Sequence, residues 1–264
     1  MFVTACCDPR APAFGRPCCA LAPYKGKRAM LAASSSRQRN RLLAALSPAD
    51  LGLLQPHLDS LTLKLRHDME RPHKRIQDVY FMDAGIASVV AVQSDGTRVE
   101  VGLIGREGMT GTAVVLGDSQ SPHETYIQVA GEGQRIAAGE LRNAMQASES
   151  LHGLLLKYVQ AFMVQTAHTA IANARAKLDE RLSRWILMAH DRIAGNKLAL
   201  THEFLALMLG VRRAGVTEAL QSLSRQKLIE ARRGEVVVLN RQGIMRRAGS
   251  SYGSPEAEYR RLIG

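Results

Sequence analysis

The spacing of hydrophobic residues changes along the chain, and each change predicts a different kind of structure. In RNRLLAALSPADLGLLQPHL, residues 39–58, leucines three and four positions apart predict helices, the second capped by Ser47 with Pro48 at its first position. Short apolar runs follow, separated by Gly, Asp and Ser: QDVYFM, IASVVAV, TRVEVGLIG, ETYIQVAG and GQRIAA. Together with SDGT at residues 94–97, which is typical of a hairpin turn, they predict a β-sandwich or barrel.

Residues 139–195 return to a pattern that is helical throughout. Apolar side chains recur at intervals of three and four at Leu151, Leu154, Leu155, Tyr158, Val159, Phe162 and Met163. Two interpretations fit: an ordinary core helix, or a helix that joins two domains and pairs with its copy in a dimer. We favour the dimer because small residues would let two helices approach closely, at Ala161, Ala167, Ala170 and Ala174.

The segment LTHEFLALMLGVRRAGVTEALQSLSRQKLIEARRGEVVVL, residues 200–239, is typical of two short helices and a hairpin. A helix-turn-helix needs a small residue at the crossing and a glycine in the turn, and Ala206 and Gly210 supply them. Thr201 is the predicted cap of the first helix. The predicted apolar contacts are Leu205, Leu209, Val211, Val216 and Ala219. The hairpin that follows the two helices turns at Arg233-Gly234 and is typical of a wing.

The second helix of this motif would expose side chains that can read DNA bases: Arg212, Arg213, Thr217, Glu218 and Gln221. Arginine can bind guanine O6 and N7, glutamate can accept from cytosine N4, and glutamine can pair with adenine. Phosphate contacts are predicted for Thr201, Arg225, Lys227, Arg232 and Arg233. The alternative, a solvated helix pair in an unrelated bundle, would not need this mix of groups.

The charge of the chain supports a polyanionic partner for its C-terminal third. The 264 residues carry a net charge of +11, and residues 177–264 hold 16 basic against nine acidic residues, whereas residues 41–176 hold 12 against 14. This distribution suits nucleic acid or an anionic membrane. No apolar run reaches the length of about 18 residues that a membrane span needs, and prolines interrupt any secretory signal, so we expect a cytoplasmic protein.

Residues 1–37 are predicted to form a disordered leader, because they are rich in Ala, Pro, Cys and basic residues and show no periodicity. Met30 is an alternative start, from which the first 29 residues would be absent. The four cysteines of the chain all lie in this leader, so we expect no disulfide framework in the body: they are Cys6, Cys7, Cys18 and Cys19.

The order of these parts resembles the Crp/Fnr superfamily of bacterial transcription regulators over about residues 38–245. LTHEFLALMLGVRRAGV is the most specific segment, and LDERLSRWIL and IGREGMTG also resemble members. The resemblance implies an α+β fold with an N-terminal β jelly roll, similar to cyclic-nucleotide-binding domains, then a long dimerisation helix and a C-terminal winged helix-turn-helix. It also implies a homodimer that acts on RNA polymerase. The predicted boundaries are 38–150, 151–176 and 177–264, the last including a C-terminal tail.

Two departures from the family pattern concern the DNA sequence and the effector. Many relatives have Glu and Arg where this chain has Ala214 and Glu218, so its preferred DNA sequence should differ. Members that bind cyclic AMP carry a Gly-Glu pair for the ribose and an Arg-Ser or Arg-Thr pair for the phosphate. At these places, the candidate effector pocket, the chain has Gly111, Thr112, His123, Glu124 and Thr125.

A carboxylate near the expected phosphate would repel it at a cost on the order of 1 kcal/mol or more. We therefore expect no tight binding of cyclic AMP or cyclic GMP, and the choice between another small effector and none stays open. Fnr-type sensors hold an iron-sulfur cluster on N-terminal cysteines and one internal cysteine, but the spacing here differs and the internal cysteine is absent.

We expect no metal, cofactor or enzyme activity. The histidines show no metal spacing such as HExxH, GREGMTG lacks the Lys-Ser/Thr ending of a phosphate-binding loop, and no nucleophile, base and orienting group form a set. The alternative to a DNA-binding regulator is a small-molecule-binding sensor whose basic C-terminal part does not read sequence.

Overall fold

The structure, a computed structural model, describes residues 38–264. Two short helices come first in this range. Helix α1 is Arg41–Ala44 and helix α2 is Pro48–Leu54. The Ser47 hydroxyl accepts from the backbone N–H of Asp50 at 3.1 Å, which confirms the predicted cap. The predictions for residues 1–37, including those for the cysteines, lie outside the described residues.

Seven strands form an antiparallel β-sandwich, which confirms the jelly-roll prediction. One sheet has the strand order β1-β7-β3 and the other β2-β6-β4-β5. The bounds are β1 Asp59–Leu63, β2 Asp68–Glu70, β3 Asp78–Met82, β4 Ile86–Val92, β5 Arg98–Ile104, β6 Glu124–Val129 and β7 Gly131–Ala137. The hydrophobic pattern does not predict β1 and β2, because DSLTL and DME are short and mostly polar.

The predicted hairpin turn SDGT joins β4 to β5. Gly96 has a φ of +83°, a left-handed conformation that glycine adopts at little cost. The N–H of Gln93 donates to the carbonyl of Thr97 at 2.9 Å and closes the turn. Between β5 and β6 lies a short helix α3, Thr112–Val115, which follows a left-handed Gly111.

The segment after the sandwich contains three helices and ends at His190, so the prediction of helix throughout residues 139–195 is wrong for the breaks between the helices and for residues 191–195. Helix α4 is Ala138–Ala147, α5 is Glu149–Arg175 and α6 is Leu178–His190. Ser148 separates α4 from α5 because its side chain caps α5, accepting from the N–H of Leu151 at 3.2 Å. The long helix α5 contains 27 residues.

One face of α5 packs on the sandwich. The side chain of Gln165 accepts from the N–H of Leu103 at 2.7 Å and donates to the carbonyl of the same residue at 3.2 Å. Tyr158 donates to the carbonyl of Met109 at 2.9 Å. Met163, part of the predicted apolar stripe, is 58% exposed and lies on the other face.

The winged helix follows α6. Its elements are β8 Lys197–Ala199, α7 His202–Leu209, α8 Arg213–Arg225, β9 Ile229–Arg232, β10 Glu235–Val238 and α9 Arg241–Ala248. The three strands form an antiparallel sheet in the order β8-β10-β9.

The C-terminal segment forms a further helix α10, Ser254–Ile263, which packs along α5. Tyr259 donates to the carbonyl of Glu107 at 2.7 Å, and Pro255 is buried. The predicted C-terminal tail thus contacts the sensor side of the molecule.

A buried carboxyl joins the sandwich to α6. Glu100 of β5 is 5% exposed and accepts from the indole N–H of Trp185 at 2.6 Å and from the hydroxyl of Ser88. Burial raises the pKa of Glu100 from about 4.5 to about 7, because the hydrogen bonds from Ser88 and Trp185 offset only part of the desolvation.

This raised pKa predicts a stability that depends on pH. Since the folded chain holds the Glu100 proton more tightly than the unfolded chain, the contribution is complete below about pH 4.5 and is lost as the pH rises through about 7. From about pH 6 to about pH 8, the free energy of unfolding should fall by about 1 kcal/mol more in the wild type than in Glu100→Gln. Urea unfolding at both pH values measures this, with the exposed Glu132→Gln as control. Equal pH dependence in the wild type and Glu100→Gln would contradict it.

Candidate nucleic-acid interface

Helices α7 and α8 meet at Gly210, as the sequence predicts. Gly210 is left-handed with φ 61° and ψ 41°, and the N–H of Val211 donates to the carbonyl of Ala206 at 3.0 Å across the turn. The predicted apolar contacts all belong to one core cluster: Leu205, Leu209, Val211, Val216 and Ala219. The two helices are therefore held by apolar packing on their inner faces, and their outer faces remain available.

The N-termini of the two helices differ. Thr201 caps α7, its hydroxyl accepting from the N–H of Phe204 at 3.2 Å. Arg212 occupies the cap position of α8, where no side chain satisfies the first N–H groups of the helix. Positive side chains and the positive end of the helix dipole therefore lie together at the start of α8.

Four of the five predicted base-reading residues are exposed on α8: Arg212, Arg213, Glu218 and Gln221. Arg213 contacts the exposed Glu203 at 2.9 Å, a surface ion pair that contributes at most about 1 kcal/mol and leaves the guanidinium available. Thr217 is half-buried, and its hydroxyl donates to the carbonyl of Arg213 at 3.1 Å and lies 3.0 Å from Nδ1 of His202. The hydroxyl of Thr217 is thus already engaged within the chain.

The predicted wing is present, with its turn at Arg233 and Gly234, the latter at φ +75°. Three predicted phosphate-binding side chains are exposed and form no salt bridge among the described residues: Arg225, Lys227 and Arg233. Arg232 differs, because Glu230 holds its guanidinium at 2.9 Å and Glu235 lies 3.7 Å away.

A groove of about 610 Å³ separates α8 from the wing. Its lining includes both predicted groups, base-reading Thr217 and Gln221 and phosphate-binding Arg225, Arg232 and Arg233. Arg212, Arg213, Glu218, Lys227 and Thr201 lie outside this groove. Sequence reasoning missed His202, which also lines it; the signal was its place directly after the cap of α7, on the helix that packs against α8.

Residues 180–247 match the sequence model of the Crp-like helix-turn-helix domain. The chain carries a Crp-like helix-turn-helix domain. The match begins within α6 and ends within α9, so it includes the turn, α8 and the wing of the Crp-like domain.

Solved structures share the fold of most of the chain. A transcriptional regulator of the Crp/Fnr family from Eubacterium rectale is 16% identical, with a TM-score of 0.62 over 78% of this chain and 97% of that one. FixK2 from Bradyrhizobium japonicum is 15% identical, with a TM-score of 0.62 over 73% and 98%. CLP, a c-di-GMP-responsive global regulator from Xanthomonas campestris, is 19% identical, with a TM-score of 0.57 over 73% and 99%.

These matches confirm the resemblance to Crp/Fnr regulators and the predicted architecture: a β-rich sensor fold, a long helix and the Crp-like domain. The E. rectale protein and CLP are regulators and not enzymes. No curated protein sequence matches the chain.

Two of the candidate effector residues, Gly111 and Thr125, lie beside a carboxyl that the sequence did not indicate. Glu70 is buried, accepts from the N–H of Gly111 at 2.6 Å and pairs with Thr125 across β2 and β6. Burial raises the pKa of Glu70, and the bond from Gly111 opposes this. Glu124 of β6 forms an ion pair with Arg98 of β5, across the intervening strand β4.

The two remaining candidates, Thr112 and His123, are not in contact with Glu70: Thr112 begins α3, and the N–H of His123 donates to the hydroxyl of Ser121 at 3.1 Å. Across residues 38–264, no three His, Cys, Asp or Glu side chains cluster so that they could hold a metal ion. In the same range, no helix has the length and apolar character to cross a membrane.

Proposed function

We propose that the chain is a Crp/Fnr-type transcription regulator that binds double-stranded DNA as a homodimer and reads a roughly two-fold symmetric site. The observation that carries this proposal is the exposed cationic surface on α8 and the wing of the Crp-like domain. The remaining partner, RNA polymerase, is implied by the family resemblance.

In this proposal α8 enters the major groove of DNA. Arg212, Arg213, Glu218 and Gln221 would contact base edges, because their side chains are exposed and none is needed for the packing of α7 on α8. The engaged hydroxyl of Thr217 leaves its methyl group as the part that would face a base.

Phosphates would bind around the rim of this surface, at Arg225 and Lys227 where α8 ends, at Arg233 on the wing, and at Thr201. Arg232 would contribute less than its neighbours, since Glu230 and Glu235 already neutralise its charge. Phosphate contacts set affinity and register, whereas the bases read by α8 set sequence preference.

The exposed face of α5 supports dimerisation. Six exposed residues, the free seam, follow one another at intervals of four and three: Leu156, Gln160, Met163, Ala167, Ala170 and Ala174. This spacing is the heptad pattern of two helices that pack side by side. Ala161, one of the small residues predicted to let two helices approach closely, is buried within its own chain and does not belong to the seam.

We also propose that the sandwich binds cyclic AMP and cyclic GMP weakly or not at all. A bound phosphate requires backbone N–H donors and a cation. The N–H of Gly111 already donates to the carboxyl of Glu70, so this N–H is not free to bind a phosphate oxygen. Glu124 neutralises Arg98, the arginine nearest to it in the described chain.

Two substitutions separate base reading from phosphate binding. Arg213→Ala should cost about 1 to 3 kcal/mol on the preferred site and relax the base preference at one position in each half-site. Lys227→Ala should weaken binding to all sequences alike and lower the salt dependence. Titrations of a random-sequence DNA library at fixed salt measure both, with circular dichroism as the folding control. Equal weakening of every sequence by Arg213→Ala would contradict its base-reading role.

A charge on the free seam should dissociate the dimer. Met163→Glu would place like charges opposite each other in the paired helices, and we expect a monomer in sedimentation equilibrium. Leu116→Glu is the matched control, since Leu116 is 62% exposed, Met163 is 58% exposed, and Leu116 is not part of α5 or of the free seam. A Met163→Glu chain that stays dimeric, or a wild type that is monomeric, would rule out pairing through this seam.

A further inference from the structure

A cavity of about 410 Å³ lies where the sandwich, α5, the end of α6 and α10 meet. Its volume falls within the range of about 300 to 1,000 Å³ that is typical of small-molecule sites. None of the candidate effector residues around Glu70 lines it. The wall that α10 supplies lies outside residues 180–247, the part that matches the Crp-like domain.

The charge of this cavity favours an anion. Five arginines line it, and two of them are neutralised in place, Arg192 by Glu107 at 2.7 Å and Arg241 by Asp191 at 2.6 Å. The other three form no salt bridge among the described residues: Arg41, Arg106 and Arg260. Glu256, the third carboxylate of the lining, accepts from the N–H of Gly253 at 3.0 Å at the start of α10. The lining therefore keeps an excess of positive charge.

Buried donors without acceptors point to the same chemistry. Arg192 is 7% exposed, and its Nε has no hydrogen-bond partner in the described chain. The Nε of Arg106 is likewise buried and without a partner. A buried N–H that lacks an acceptor costs about 1 to 3 kcal/mol. Both arginines line the cavity, and acceptors of the described chain leave their guanidinium groups incompletely satisfied.

The cavity also has apolar walls. Phe162 of α5 and Tyr259 of α10 line it, and Tyr259 is fixed by its bond to the carbonyl of Glu107. We propose that this cavity binds a small polyanion, with carboxylate or phosphate groups at Arg106, Arg41 and Arg260 and its body against Phe162 and Tyr259. Arg106 belongs to the sandwich and Arg260 to α10, so one ligand would bridge both and hold α10 on α5.

Binding is measured by calorimetry on the full chain without DNA, so the result does not depend on the proposed DNA function. The probes are citrate and inorganic pyrophosphate at constant ionic strength, which distinguish carboxylate from phosphate recognition. We expect at least one probe to bind with one site per chain and a Kd below about 1 mM. Arg106→Gln and Arg260→Gln should each raise that Kd about tenfold or more, because each removes a charged hydrogen bond.

The control is Arg142→Gln, an arginine of α4 outside the cavity, which should leave the Kd unchanged. Hydrogen exchange locates the site, since the bound probe should slow the exchange of backbone amides in residues 254–263. The proposal is wrong if neither probe binds below about 1 mM, if Arg106→Gln and Arg260→Gln bind as the wild type does, or if exchange in α10 does not change.

Discussion

The packing of α5 on the sandwich is the contact on which the rest of the structure depends. Gln165 binds both backbone groups of Leu103, and Phe162 packs where Gly102 leaves room: a Cβ there would lie 2.6 Å from the ring. These contacts fix the rotation of the helix about its own axis. Because the buried face is fixed, the free seam points away from the sandwich, and the proposed dimer follows from an orientation that a single chain already has.

Buried polar groups tie the Crp-like domain to the β-sandwich. Trp185 of α6 donates to Glu100 of β5, and Arg192, just after α6, donates to the carbonyl of Leu103 in the same strand at 3.3 Å. The C-terminal helix adds a third connection, from Tyr259 to the backbone beside the sandwich. The bond from the Trp185 indole depends on whether the buried Glu100 carboxyl is protonated. The proposed anion site also lies between the sandwich and the end of α6.

Local patterns were sufficient for much of this fold. The hairpin at residues 94–97, the cap at Ser47, the turn at Gly210 and the wing at Gly234 each depend on residues within a few positions of one another, and the structure has all of them. The break in the helical segment at Ser148 also has a local cause, because the serine side chain caps α5. The weak strands β1 and β2 are held by pairing with β7 and β6, distant segments of the chain.

The buried carboxyls and the position of α10 could not be predicted from the sequence, because they depend on contacts between distant parts of the chain. Glu70 and Glu100 are ordinary acidic residues in the sequence, and only the fold buries one against Gly111 and the other against Trp185. The position of α10 depends on the same kind of contact, with residues more than a hundred positions earlier. The proposed base-reading surface was different, since its residues follow one another along α8 and the period of a helix predicts the exposure of four of the five, Thr217 being half-buried.

The most direct test of the account is the selection of bound DNA. Purified protein without added effector is mixed with a random-sequence duplex library at about 0.15 M salt, and the retained duplexes are sequenced, with salt fixed because phosphate binding depends steeply on it. The account predicts enrichment of one two-fold symmetric sequence, with half-sites about one helical turn apart. Retention without any sequence preference would contradict it, since α8 and the wing would then serve only to bind phosphates.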